Sequence, residues 1–244
     1  MAEDPAENHD LAAEHRDRLI ALIATWYVEA GKYDVMPVDA SGVARMAVEK
    51  PLIAAARDSF VFYPNTQSVP FFAGPRVLNR PHSITADVEI PEAGAQGALL
   101  CQGTSAGGYT FYVKDHRLHY THNWVGRELI HLASDEALTP GRHELRFEFE
   151  PTGQPDPAHG HGTPGRFQLY IDGNLAGDRD VAYTTPFLFN PGAVTCGADP
   201  GSTVTDDYKT PFRFTGTLHT VTVDLSGELI QDLEAELKAH MARQ

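Results

Sequence analysis

Two hydrophobic periods divide the chain. Between Asp10 and Ala30 the positions Leu11, His15, Leu19, Leu22, Ile23, Trp26 and Ala30 recur at three- and four-residue steps, which is one stripe of an α-helix. Asp10 is the expected N-cap, since its carboxylate can accept an orphan backbone N–H, and Gly31 is the expected stop. A stripe bearing Leu19, Leu22, Ile23 and Trp26 needs apolar cover, so these four are read as an interface. From Ser59 onward the period falls to two. Tyr109, Phe111 and Val113 alternate with Thr110, Tyr112 and Lys114, and Leu145, Phe147 and Phe149 alternate with Arg146, Glu148 and Glu150. Both runs are half-buried strands.

Further strands are expected at 59–63, 83–90, 97–102, 117–124, 127–133, 166–172, 174–181, 193–199 and 212–225. Asp172-Gly173 is a two-residue hairpin signal. In the last run the apolar parity slips between Phe212/Phe214/Leu218 and Val221/Val223/Leu225, as a bulge or a crossing between sheets would cause. Ten or eleven short strands with regular turn signals predict a mainly β fold, an antiparallel β-sandwich. The expected organisation is a helix in 1–33, a connector over 34–58, the sandwich over 59–226 and a closing helix over 227–244, the last carried by Leu229, Ile230, Leu233, Leu237 and Met241.

Composition narrows the function classes. A formal charge of −14 with no Lys/Arg cluster argues against nucleic acid. No apolar run reaches the roughly 20 residues of a membrane span. Residues 1–18 are acidic and polar and do not read as a secretory leader, which gives a cytoplasmic expectation for the chain as written. Cys101 and Cys196 lie in apparent strands without metal-site spacing and are read as buried free thiols.

Candidate chemistry is sparse. Asp199, Asp206 and Asp207, near Ser202 and Thr205, gather hard oxygens on one loop and form a candidate structural calcium site; the competing reading is a turn whose carboxylates bond local backbone. Tyr112, Tyr120 and Trp124 are candidate sugar-stacking rings, with cross-strand packing as the competing use. Glu148 and Glu150 project from one face, short of a glycosidase strand pattern and better read as a solvated edge. His116, His119 and His122 sit at odd offsets and cannot converge on one ion from a regular strand. The loop His159-Gly160-His161 offers two imidazoles for adventitious transition metal, though it is better read as a surface loop.

The run Asp4-Pro5-Ala6-Glu7-Asn8-His9-Asp10-Leu11 resembles the D-P-x-E-x-x-[DN]-L segment that follows the catalytic domain of type I sulfatases. Leu169–Gly177, Gly197–Leu225 and the closing helix are similar to the C-terminal region of long bacterial arylsulfatases, and the strands resemble a concanavalin A or laminin G jelly roll. That family works through a formylglycine in C-x-P-x-R and a calcium ion. Here Cys101 opens Cys-Gln-Gly-Thr-Ser and Cys196 opens Cys-Gly-Ala-Asp-Pro. No catalytic residue carries over, so this chain alone is expected to be inactive on sulfate esters and to hold no formylglycine. The resemblance implies a non-catalytic C-terminal portion whose partner is an upstream sulfatase catalytic domain or a second copy. The alternative is a free-standing lectin-like module that binds a glycan.

Overall fold

The computed structural model describes residues 9–36, 57–66, 68–186 and 192–230. The chain divides into two units, residues 1–51 and 52–244.

The first unit contributes helix α1 (Arg16–Lys32). It begins later than the apolar stripe suggested. Asp10 Oδ1 accepts the Ala12 N–H at 2.9 Å, and Leu11 O accepts from Glu14 and His15, so Asp10 caps a preceding turn. The residue at the helix N-cap is His15, with no side-chain cap bond. Nor does Gly31 end the helix. The left-handed residue is Asp34 (φ 52°), and the Val35 N–H closes onto Ala30 O at 2.9 Å, a Schellman-like closure. Leu19, Leu22, Ile23 and Trp26 are all solvent-exposed, and only Ala30 on this helix is buried.

The second unit is an antiparallel β-sandwich of jelly-roll type. Its strands are β1 (Ser59–Phe62), β2 (His82–Ile90), β3 (Gly97–Thr104), β4 (Gly107–Lys114), β5 (Arg117–Trp124), β6 (Glu128–Ala133), β7 (Gly141–Pro151), β8 (Gly165–Ile171), β9 (Asn174–Val181), β10 (Val194–Cys196), β11 (Ala198–Asp199), β12 (Phe212–Arg213) and β13 (Thr217–Asp224). One sheet runs β1-β13-β2-β7-β8-β9, and the second runs β11-β12-β3-β4-β5-β6, with β10 also pairing β3. Every pairing is antiparallel except the single bridge between Arg213 and Ala98.

Alternation puts one row of each strand between the sheets. Ile84, Val88, Leu145, Phe147, Phe167, Leu169, Val221 and Val223 meet Leu100, Phe111, Val113, Leu118, Tyr120 and Leu132 in one core. Each such side chain stabilises the fold by roughly 1.5–3 kcal/mol relative to exposure. Tyr120 and Phe147 stack across the sheets with ring centroids 3.5 Å apart and planes 9° apart.

The two irregular runs have separate causes. The chain crosses from sheet to sheet between Arg213 and Thr217, and a bulge follows between Leu218 and Thr220, so both devices expected for the parity slip are present. The run 193–199 is two short strands broken at Gly197 (φ +79°). Hairpin β8–β9 turns at Asp172-Gly173 with φ of 52° and 79°, as the dipeptide predicts. Residues 227–230 are irregular, and the rest of the expected closing helix lies outside the described residues, as does most of the connector.

Candidate functional site

The outer face of the β3–β6 sheet carries a connected group of titratable side chains. Register places Cys101, Thr110, Thr121 and His131 in one row across it, with Tyr112 and His119 opposed in the next. The segment from Asp199 to Phe212 lies over these rows. Tyr208 donates from its hydroxyl to Asp199 Oδ2 at 2.9 Å and lies 2.8 Å from Thr110 Oγ1. Tyr112 donates to Asp207 Oδ2 at 2.7 Å, and Lys114 Nζ donates to Asp207 Oδ1 at 2.7 Å. Tyr208 and Phe212 close over Tyr112, which is fully buried.

The three aspartates of this segment do not share a centre. Asp199 is 3% exposed, and burial raises its carboxyl above the ordinary value against the Tyr208 hydrogen bond. Burial also pushes Asp207 upward, but the bonds from Lys114 and Tyr112 outweigh it and the net direction is down. Asp206 is exposed. Asp207 therefore ties the segment to the sheet, while Asp199 accepts from Tyr208 within the segment.

Next to Asp207 stand two imidazoles. His119 Nε2 lies 3.0 Å from Lys114 O and its Nδ1 lies 3.0 Å from His131 Nε2. The rings of Tyr112, His119 and His131 stack in sequence, with centroids 4.9 and 5.2 Å apart. One donor atom each from His119, His131 and Asp207 lie within 4.8 Å of one another. His116 sits in the β4–β5 turn, and His122 points into the core from the opposite face to His119. His131 was missed because the sequence reading considered histidines along one strand. Pairing of β5 with β6 sets His131 opposite Thr121, diagonal to His119.

The three candidate sugar-stacking rings are not brought together. Tyr112 faces outward beneath Tyr208, and Tyr120 faces the core. Trp124 lies at the end of β5, half-buried, on a rim formed with loop 156–162 and Tyr183. Its Nε1–H donates to Gly160 O at 3.1 Å. Trp124 lies 5.3 Å from the His161 ring and 5.1 Å from Tyr183, and His161 and Tyr183 stack at 4.0 Å with planes 6° apart. The Tyr183 hydroxyl donates to exposed Glu128, and that bond raises the phenol above its ordinary value.

Local sequence builds this rim. Asp156 caps the short 3-10 turn Pro157–His159 by accepting the His159 N–H, and Gly160 takes the left-handed conformation (φ 77°) that returns the chain to His161. His161 stacks on Tyr183, while His159 Nδ1 lies 2.6 Å from Asp156. Tyr183 carried no sequence signal, since it follows β9 in a stretch without period.

On the outer face of the other sheet, Glu148 and Glu150 line an open groove of about 360 Å³ with Ser83, Gln168 and Asp224. Arg146 pairs with Glu148 at 2.8 Å and lies 4.4 Å from the Tyr170 ring centroid. Cys101 and Cys196 are free and buried; burial raises the first thiol and takes the second to about 12. No helix among the described residues is long and apolar enough to cross a membrane.

No protein-family model matches the sequence, and no curated protein matches it. The expected affiliation with the arylsulfatase C-terminal region finds no support in these comparisons. Among solved structures, the CBM40 of Ruminococcus gnavus IT-sialidase bound to α2,3-sialyllactose is 12% identical, covering 75% of this chain and 96% of that chain, with a TM-score of 0.45. Domains LG4-5 of the mouse laminin α1 chain are 13% identical, covering 71% of this chain and 40% of that chain, with a TM-score of 0.44. Similarity this low leaves function to be read from the site itself.

Proposed function

We propose that this chain is a lectin-like module that binds a glycan at the Trp124–His161–Tyr183 rim. The observation that carries this reading is the convergence of three half-buried rings beside an exposed carboxylate. Pyranose rings present C–H faces that pack on aromatic surfaces, and hydroxyls that need paired donors and acceptors. Trp124 and Tyr183 supply the first, while Glu128 and the His161 imidazole supply the second. The rings lose little freedom on binding, because Trp124 is already held by Gly160 O and Tyr183 by Glu128 and His161.

A glycan array probed with the full chain, with and without calcium, tests the reading. Binding is expected in both conditions, because no group of metal ligands lies at the rim among the described residues. Trp124→Ala is expected to weaken it by about tenfold or more, the loss of one stacking partner. An array without hits, or hits of unchanged strength in Trp124→Ala, would sink the proposal.

A further inference from the structure

The outer-face cluster beside Asp207 has the make-up of a metal site. We propose that His119 Nδ1, His131 Nε2 and the Asp207 carboxylate bind a divalent first-row transition ion of the zinc class, with one coordination position left to solvent. Imidazole and carboxylate are the donors such ions take, and three protein ligands with an open fourth position is a recurrent arrangement.

Geometry supports it in three ways. The Nε2–H of His119 donates to Lys114 O at 3.0 Å, which leaves Nδ1 as a bare lone pair aimed at His131. A bond from the ring nitrogen that does not hold the ion orients metal-binding imidazoles. The two ring nitrogens are 3.0 Å apart. Nitrogens bound tetrahedrally at 2.0–2.1 Å stand roughly 3.3 Å apart, so a few tenths of an ångström of ring rotation sets the two imidazoles, and the Asp207 carboxylate, within 4.8 Å of them, closes in to complete the site. In the metal-free arrangement the His131 Nε2–H donates to His119 Nδ1. Binding then needs only that this proton move to His131 Nδ1, a change of tautomer that leaves both rings neutral.

Asp207 is ionised, and Tyr112 and Lys114 use one lone pair on each of its oxygens. The remaining lone pairs are free for an ion, and the two donors fix the carboxylate. Lys114 is the opposing charge. It also pairs with Asp115 at 3.6 Å, so it can lean away toward that carboxylate when a cation arrives. The net charge of −14 adds a favourable field over the whole surface.

Titration of the metal-free full chain with Co²⁺, read by its visible ligand-field absorption, tests the site. Wild type is expected to bind one equivalent with absorption typical of four- or five-coordination, displaced by Zn²⁺ and indifferent to excess Ca²⁺. His131→Ala and Asp207→Asn are expected to weaken binding by at least about tenfold. His159→Ala, in the loop 156–162, is expected to leave it unchanged. Circular dichroism of each variant in chelator separates lost ligation from lost folding, and His131→Gln serves if His131→Ala fails to fold. Absence of saturable binding, binding retained in His131→Ala, or binding lost in His159→Ala would each overturn the proposal.

Discussion

Gly97 shows how one position can hold a sheet crossing in place. Its φ is +133°, and a Cβ there would lie 2.2 Å from the Phe214 Cα and 2.3 Å from its nitrogen. Both obstacles are backbone, at the point where the chain leaves β12 to reach β13 in the other sheet. No rotamer change relieves such a contact. Gly97→Ala is therefore expected to destabilise the sandwich by about 3 kcal/mol or more, combining conformational strain with a backbone clash. Urea unfolding midpoints measure this, and a loss under 1 kcal/mol would show that the crossing is free to shift. The sequence marks Gly97 only as a glycine opening a strand. Its close approach to Phe214 joins positions more than a hundred residues apart and has no local signature.

At the scale of elements, legibility follows the range of the cause. Period-two alternation is local, so β2, β4, β5, β7, β8 and β9 were visible within a few residues of their ends. The β8–β9 turn was visible because Asp172-Gly173 is a dipeptide of recognisable chemistry. The β4–β5 turn, at Asp115 and His116 with φ of 48° and 61°, was not, because it uses no glycine. The site was less legible than the fold. Tyr112 and Tyr120 were read as one stacking set, yet strand pairing sends them to opposite faces, and the His119–His131 diagonal and the His161–Tyr183 stack likewise depend on strand pairing and loop closure. The segment Asp199–Phe212 lay between these cases. Its acidic side chains were conspicuous, but Tyr112 and Lys114, the partners of Asp207, come from a distant strand, as does Thr110, the partner of Tyr208. Tyr208→Phe tests whether those bonds hold the segment down. The variant removes the hydroxyl that donates to Asp199, leaving a buried carboxylate short of a donor, and is expected to cost about 1–3 kcal/mol. Faster amide exchange confined to the 199–212 segment is the expected readout; uniform exchange across both sheets would assign Tyr208 to the core instead.

For the molecule as a whole, acid stability is set by histidines enclosed in the sandwich. His82 at the start of β2 is half-buried and His122 on β5 is buried, and desolvation takes each from 6.5 down to about 4. His82 Nδ1 pairs with Arg80 O at 3.0 Å while its Nε2 has no partner, and His122 Nε2 lies 3.1 Å from Thr185 Oγ1. Both stay neutral in the folded state where the unfolded chain would take up protons. Stability is thus full above pH 6.5 and falls as pH drops from 6.5 toward 4, where the folded state also protonates and the loss levels off. The two sites together contribute a slope of up to about 2.7 kcal/mol per pH unit inside that window. Net charge works in the opposite sense. Protonation of surface carboxylates brings the chain from −14 toward its isoelectric point near 5.2 and relieves self-repulsion. That relief is carried by exposed groups and is largely screened at 0.15 M salt, whereas the buried imidazoles are not. Unfolding in urea at about 0.15 M salt should therefore lose stability steadily between pH 6.5 and 4. His82→Leu should remove about 1.4 kcal/mol per unit of that slope, the share of one proton. A wild-type curve flat across this window would mean that the core admits charge at His82 and His122, and that repulsion rather than burial governs how this fold meets acid.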